Sequence, residues 1–199
     1  MDLSKLLTPA AVRVMGQMTS KKRLFQELGE IASQAYGLTA AMAIDGLQER
    51  ESLGPTGVGN GIALPHARLI GLEKITGIFL RLEKPLDYES VDRQPVDLVF
   101  CLLAPKDSGV DHLKALALVS RTMRDAGICA KLRANSDVSK LYAILTESKA
   151  PRLADLTGFG QFLQNLRNQG MQPVLMGDFP ATGVLPLGAN RRGRPYLVK

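Results

Sequence analysis

Cysteine is scarce in this chain: there are two among 199 residues. Cys101 lies in an apolar run and Cys129 beside Ile128 and Ala130, which excludes a disulfide framework and makes both core residues of a protein from a reducing compartment. No stretch approaches 18 consecutive apolar residues, so no membrane span is expected. The start, Met1-Asp2-Leu3-Ser4-Lys5-Leu6-Leu7, lacks a basic region followed by an apolar one and does not read as a secretory signal. Internal repeats and low-complexity blocks are missing as well. A cytoplasmic globular protein is the expectation.

Charge of one sign is present in excess, at +6, with 45% hydrophobic and 22% charged residues. A basic balance invites a nucleic-acid or membrane-surface reading. Cutting the chain at Pro151 localises the excess: residues 151–199 carry six Lys or Arg against Asp155 and Asp178, while residues 1–150 are net +2. The same 49 residues hold five of the 11 prolines and seven of the 19 glycines. The expected organisation is a nearly neutral domain over 1–150 and a basic Pro/Gly-rich extension over 151–199. Within the extension, Arg191-Arg192-Gly193-Arg194 is the only compact cationic cluster, and a solvated chain end is a commoner fate for such a run than a nucleic-acid contact. Leu153, Leu156, Phe159, Phe162, Leu163 and Leu166 are spaced for a short amphipathic element.

Periodicity in the first 150 residues predicts interleaved helices and strands. Ser20 caps a helix through Tyr36 in which Leu24, Leu28, Ile31 and Ala35 form one face and Gly37 is the stop. Thr39 caps a second helix through Met42, Ala43 and Leu47 to Arg50. Leu53 to Gly61 has too many breakers for a regular element and reads as a loop that runs into a short strand at Ile62-Ala63-Leu64-Pro65-His66. Ile75–Leu82 and Val96–Ala104 are strands, the latter apolar enough to be central and covered on both faces. Pro85-Leu86-Asp87-Tyr88 suits a short edge element. A helix beginning near Asp111 presents Leu113, Leu116, Ala117, Ser120 and Met123 and stops at Gly127, followed by a turn at Ile128–Leu132 and a last helix over Asp137–Leu145. The fold class expected is α/β, an α+β sandwich around a buried sheet.

Chemistry concentrates around one segment. Gly54-Pro55-Thr56-Gly57-Val58-Gly59-Asn60-Gly61 is glycine-rich, yet no Lys-Ser or Lys-Thr follows it and a helix, not a strand, precedes it, so neither nucleotide fingerprint applies. His66, one of two histidines, ends the segment after Pro65. A neutral imidazole nitrogen is a good nucleophile near pH 7, although an isolated histidine is more often without function. His112 stands at a helix start, where solvent ordinarily satisfies it. Arg50 closes a helix, where a cation favoured by the helix dipole is the commoner reading and a bidentate phosphate clamp the sharper one. Two histidines with no carboxylate or cysteine at ligand spacing make no metal site.

Glu49-Arg50-Glu51, the string from Gly54 to His66, Asp92-Arg93-Gln94-Pro95-Val96-Asp97-Leu98-Val99-Phe100 and His112-Leu113-Lys114-Ala115-Leu116-Ala117 together resemble the enzyme IIA domains of the fructose/mannitol class (EIIA type 2) of the bacterial phosphotransferase system. The likeness runs in order over about residues 1–147 and leans toward the nitrogen-related branch. The resemblance implies a mixed, mostly five-stranded sheet with helices on both sides. It also implies a phosphocarrier in which His66 accepts a phosphoryl group from an HPr-like protein (NPr in the nitrogen branch), with no metal or nucleotide cofactor. His112 would sit across the site and bond the phosphoryl group, and Arg50 would help neutralise it. Thr56, Gly57, Gly59, Asn60 and Gly61 would supply loop donors. Pro55 and Ala67 depart mildly from the family pattern. A stand-alone domain of this branch controls targets such as potassium-transport or sensor-kinase components through its phosphorylation state. A component of fructose- or mannitol-type sugar transport and a nucleic-acid binder acting through the basic tail are the alternatives.

Overall fold

A computed structural model of the protein describes residues 2–147; the basic extension, its arginine cluster and its apolar residues lie outside them. Two 3-10 turns, Leu3–Lys5 and Pro9–Ala11, lead into strand β1 (Val12–Gln17). Helices α1 (Lys21–Tyr36) and α2 (Ala40–Ser52) follow, then the short strands β2 (Gly57–Gly59), β3 (Ile62–Ala63) and β4 (His66–Leu69). The long strands β5 (Thr76–Leu86) and β6 (Val96–Pro105) precede helices α3 (Gly109–Arg124), α4 (Ala126–Arg133) and α5 (Val138–Glu147).

The six strands form one mixed sheet in the order β1-β5-β6-β3-β2, with β4 also paired to β6. β5 and β6 are antiparallel, whereas β1 runs parallel to β5, and β3 and β4 run parallel to β6. β6 divides the interior because its side chains alternate between faces. Val99, Cys101 and Leu103 join Leu24, Leu28 and Leu47 of α1 and α2, while Leu98, Phe100 and Leu102 join Val119, Leu132 and Leu141 of α3 to α5. Each layer covers one face, which is why β6 reads as a nearly unbroken apolar run.

Local chemistry explains the helix ends. The Ser20 hydroxyl accepts the Arg23 N–H at 3.1 Å, and Gly37 takes the left-handed conformation (φ 71°) that closes α1, its N–H donating to the Ser33 carbonyl. Gly29 is the contact point of α1 and α2: a Cβ there would lie 2.9 Å from the Ala40 carbonyl oxygen and 2.6 Å from Ile44.

Several expectations are corrected. Thr39 occupies the cap position of α2, but its side chain makes no capping bond, and Met42 is exposed while Ala43 and Leu47 are buried. β1 pairs with β5 from Val12 opposite Phe79 to Gln17 opposite Lys84; its six residues, Gly16 among them, carry too weak a pattern to announce a strand without that partner. β5 continues through Leu86, so no separate edge element exists at Pro85, and Tyr88 is fully buried. The expected turn at Ile128–Leu132 is α4, capped by the Asp125 carboxylate, which accepts the Ile128 N–H at 2.9 Å; Gly127 lies inside its first turn and stops nothing. The buried stripe of α3 is also rotated: His112, Ala115, Val119 and Met123 face inward, whereas Leu113, Leu116 and Ala117 are only partly covered. That rotation carries His112 into the interior.

Candidate functional site

Gly59-Asn60-Gly61-Ile62 is a hairpin turn. β2 and β3 are antiparallel, with Gly57 opposite Ala63 and Gly59 opposite Ile62, and both intervening residues have positive φ (Asn60 55°, Gly61 75°). An Asn-Gly pair between two strands is the sequence signal for this turn, because both central residues of a type I′ turn require the left-handed region. The turn is fastened by carboxylates and a guanidinium. The Asp92 carboxylate accepts the Asn60 N–H at 2.8 Å, and Arg133 donates to the Asn60 carbonyl at 2.7 Å while holding Asp97 through two 2.7 Å bonds.

The turn is also remote from His66. Ile62 is opposite Leu98 on β6 and His66 opposite Leu102, four residues or about 13 Å along the strand. Gly59, Asn60 and Gly61, which the resemblance makes loop donors, thus stand in a turn held by Asp92 and Arg133. Gly57 stays at the base of the hairpin, where a Cβ would meet the Ser90 hydroxyl at 2.6 Å.

Thr56 is near the base too, but its hydroxyl is committed. It donates to Glu51 Oε2 at 2.5 Å and stands 2.8 Å from the Tyr88 hydroxyl, which, with the threonine proton already used, is the donor in that pair. The Thr56 N–H donates to the same carboxylate oxygen at 3.1 Å, and Lys21 closes the cluster with its Nζ 3.0 Å from Glu51 Oε1 and 4.7 Å above the Tyr88 ring. Glu51 and Tyr88 thus act together to fasten the loop after α2, a role that spacing does not announce because 37 residues separate them. Tyr88→Phe removes the donor to Thr56 and is expected to destabilise the protein by about 1 kcal/mol in urea unfolding, with the histidine titrations unchanged.

With the loop fixed, α2 delivers Arg50 to His66. Arg50 Nε donates to His66 Nε2 at 3.0 Å, and its Nη1 donates to the Gly54 carbonyl at 3.0 Å. On the other side of the ring, His66 Nδ1 is 2.9 Å from the Leu64 carbonyl oxygen. A carbonyl only accepts and a guanidinium only donates, so both contacts select the same tautomer: hydrogen on Nδ1, a lone pair on Nε2.

His112, in the first turn of α3, brings its ring centroid to 5.9 Å from that of His66. It is 2% exposed, and neither ring nitrogen has a hydrogen-bond partner in the structure. Buried polar atoms are ordinarily paired, which makes this enclosed imidazole beside His66 an exception. The expectation that solvent satisfies it is corrected. Arg68, two residues beyond His66 on β4, was not suggested by the sequence; its charge bears on both imidazoles.

Burial, reinforced by Arg50, pushes His66 down to about 3, and burial with Arg68 and Arg50 pushes His112 down to about 4. Both rings are neutral at physiological pH. Because the folded values lie below the unfolded one near 6.5, the unfolded chain takes up protons first; the stability contributed by these neutral rings is complete above pH 6.5 and is lost as pH falls toward 4. His112→Gln is expected to flatten the acid limb of a stability profile by up to about 1.4 kcal/mol per pH unit between pH 6 and 4, measured by urea unfolding across that range.

A neutral, partly exposed imidazole with an aimed lone pair, a guanidinium on that lone pair and a second, enclosed imidazole beside it make up the site. The chain belongs to the EIIA 2 family of the phosphoenolpyruvate-dependent sugar phosphotransferase system, whose model matches residues 5–148. It is 47% identical over 145 residues to the nitrogen regulatory protein of Bradyrhizobium diazoefficiens, a match covering 73% of this chain and 95% of that protein. The nitrogen regulatory protein of Klebsiella oxytoca is 38% identical over 149 residues, covering 74% and 92%. Among solved structures, the nitrogen regulatory protein IIA-Ntr of Neisseria meningitidis superposes with a TM-score of 0.67 at 34% identity, over 72% of this chain and 99% of that one. Residues 137–199 match the model of a family of unknown function (DUF5927). Among the described residues, no helix is long and apolar enough to cross a membrane.

Proposed function

We propose that this protein is a regulatory phosphocarrier of the cytoplasm, with residues 1–150 as the working domain and 151–199 as a separate extension. His66 takes a phosphoryl group from the phosphohistidine of an HPr-like carrier of the NPr kind. The observation that carries the reading is the single tautomer of His66, which points an unprotonated Nε2 at Arg50. In the transfer, the Nε2 lone pair forms a bond to phosphorus as the donor's N–P bond breaks, and that bond's electron pair returns to the donor imidazole. No proton moves, since Nδ1 keeps its hydrogen against the Leu64 carbonyl.

Phosphoryl transfer of this type asks the protein mainly for in-line placement and for donors around the equatorial oxygens. Arg50 turns from the consumed lone pair to the phosphoryl oxygens, and His112 offers them an N–H. The likeness to proteins named nitrogen regulatory protein favours control of target proteins, such as potassium-transport or sensor-kinase components, by the phosphorylation state of His66. The family's sugar-transport description favours the second reading, a fructose- or mannitol-type EIIA component.

The test is to incubate the full chain with phosphoenolpyruvate, enzyme I and either NPr or HPr, and then to add an EIIB protein. Phosphorylation from the carrier without onward transfer to EIIB is the expected result. Efficient transfer to EIIB with sugar uptake establishes the second reading, and no phosphorylation from either carrier overturns both.

A further inference from the structure

We propose that Glu51 is a positioning residue for phosphoryl acceptance, its carboxylate closing the loop after α2 into a ring of bonds that holds Arg50 and His66 to each other. The inference rests on the phosphocarrier reading and names a residue that acts through others. Arg50 and Glu51 are consecutive in the last turn of α2, so their side chains leave the helix about 100° apart. Arg50 reaches His66 Nε2 and the Gly54 carbonyl, each at 3.0 Å. Glu51 reaches the far end of the same loop, where its Oε2 accepts the Thr56 N–H at 3.1 Å and the Thr56 hydroxyl at 2.5 Å. Thr56 passes the constraint on to His66. Its carbonyl accepts the Leu64 N–H at 2.9 Å, and the Leu64 carbonyl accepts the His66 Nδ1–H at 2.9 Å. The path from Glu51 through Thr56, Leu64, His66 and Arg50 therefore closes on itself.

Two carbonyls in this ring bear on the reacting atom: that of Leu64 keeps the hydrogen on Nδ1, and that of Gly54 fixes the fork of Arg50. The loop that carries Gly54 is tied backward by the Leu53 N–H on the Arg50 carbonyl and the Gly54 N–H on the Glu51 carbonyl. Gly54 itself takes φ 152°, and Pro55 has no N–H to give. The next donor, the Thr56 N–H, goes to the Glu51 carboxylate. That carboxylate is firmly seated, 10% exposed, with Lys21 Nζ 3.0 Å from Oε1 and the Tyr88 hydroxyl 3.4 Å from Oε2. Linked bonds in such surroundings reinforce one another, so loosening one displaces the rest. As a charge, Glu51 opposes a phosphoryl group on its neighbour's site; as an anchor, it favours one. The two roles have opposite signs in a variant.

The experiment uses the full chain. Wild type, Glu51→Ala, Glu51→Gln and Thr56→Val are phosphorylated from the carrier under rapid quench, and the His66 tautomer of each unphosphorylated protein is read from its imidazole nitrogen resonances. Glu51→Ala is expected to lower the maximal transfer rate about tenfold with the half-saturating carrier concentration unchanged, because placement of the reacting atoms is lost and docking is not. Part of its molecules are expected to carry the hydrogen on Nε2. Glu51→Gln keeps an acceptor oxygen for Thr56 and drops the charge, and is expected to recover most of the rate. Thr56→Val deletes the hydroxyl bond and keeps the N–H, so it moves rate and tautomer in the direction of Glu51→Ala by a smaller factor; it carries the test if Glu51→Ala does not fold. A faster rate in both Glu51 variants, the result of removing a charge alone, overturns the proposal. A lower unfolding midpoint with wild-type rate and tautomer in the folded fraction overturns it as well, and both results leave His66 as the acceptor. Absence of any label on wild type is the separate outcome that removes the phosphocarrier reading and this inference with it.

Discussion

His66→Gln is expected to abolish phosphorylation completely while leaving the fold intact. In the proposed role the nucleophile is one lone pair on Nε2, kept unprotonated by the Leu64 carbonyl on Nδ1 and by desolvation beside Arg50. Glutamine preserves an acceptor for the Arg50 N–H and offers no nitrogen lone pair, because the amide nitrogen is conjugated with its carbonyl. Stability is expected to change by no more than about 0.5 to 1 kcal/mol, since the residue is partly exposed and the neighbouring packing is kept. His112 does not take over: α3 holds its ring in a separate enclosed position, 2% exposed. Intact mass after incubation with the phosphorylated carrier, alongside thermal unfolding, checks both halves. Label on His66→Gln equal to wild type contradicts the assignment.

Arg50→Gln has the second largest expected effect, a loss of about 10² to 10³ in the rate of transfer, the usual cost of deleting one donor aimed at developing charge. It also removes the charge that helps hold His66 down, so the His66 titration is expected to move up from about 3 while His112 moves less. Near pH 7 the nucleophile stays neutral and the defect is one of charge stabilisation. Arg50→Lys keeps the charge but not the Nε that meets His66 at 3.0 Å together with an Nη1 on Gly54, and is expected to recover only part of the rate. Rapid-quench transfer kinetics at pH 7, paired with imidazole titration by NMR, separates the two consequences. Wild-type kinetics in Arg50→Gln contradicts the role given to Arg50.

The outline of the fold was legible wherever one element carries its own signal. α1 announces itself through Ser20, the spacing of Leu24, Leu28 and Ile31, and Gly37; β6 does so through its apolar run. Elements whose identity depends on a partner were not legible. β1 is a strand because β5 offers it a ladder, and α3 buries His112 instead of Leu113 because the sheet and α4 select its inner face. The glycine-rich segment was ambiguous for a related reason. Glycines mark a backbone of unusual conformation, and a hairpin and a phosphate cradle both need that; Asn60-Gly61 favoured the hairpin.

By itself, the sequence determined the interleaved helices and strands, the near-neutral first 150 residues, and the motif string that ends at His66, because composition and spacing are properties of the chain alone. Only the tertiary structure decided where each member of that string stands and what it is bonded to. Which imidazole nitrogen keeps its lone pair depends on a carbonyl two residues away and a guanidinium 16 residues away. The Thr56 hydroxyl is bonded to Glu51 and to Tyr88, which is 32 residues distant. Hydrogen-bond partners and burial set tautomer, charge state and the direction of a side chain, and both exist only once distant segments are packed together.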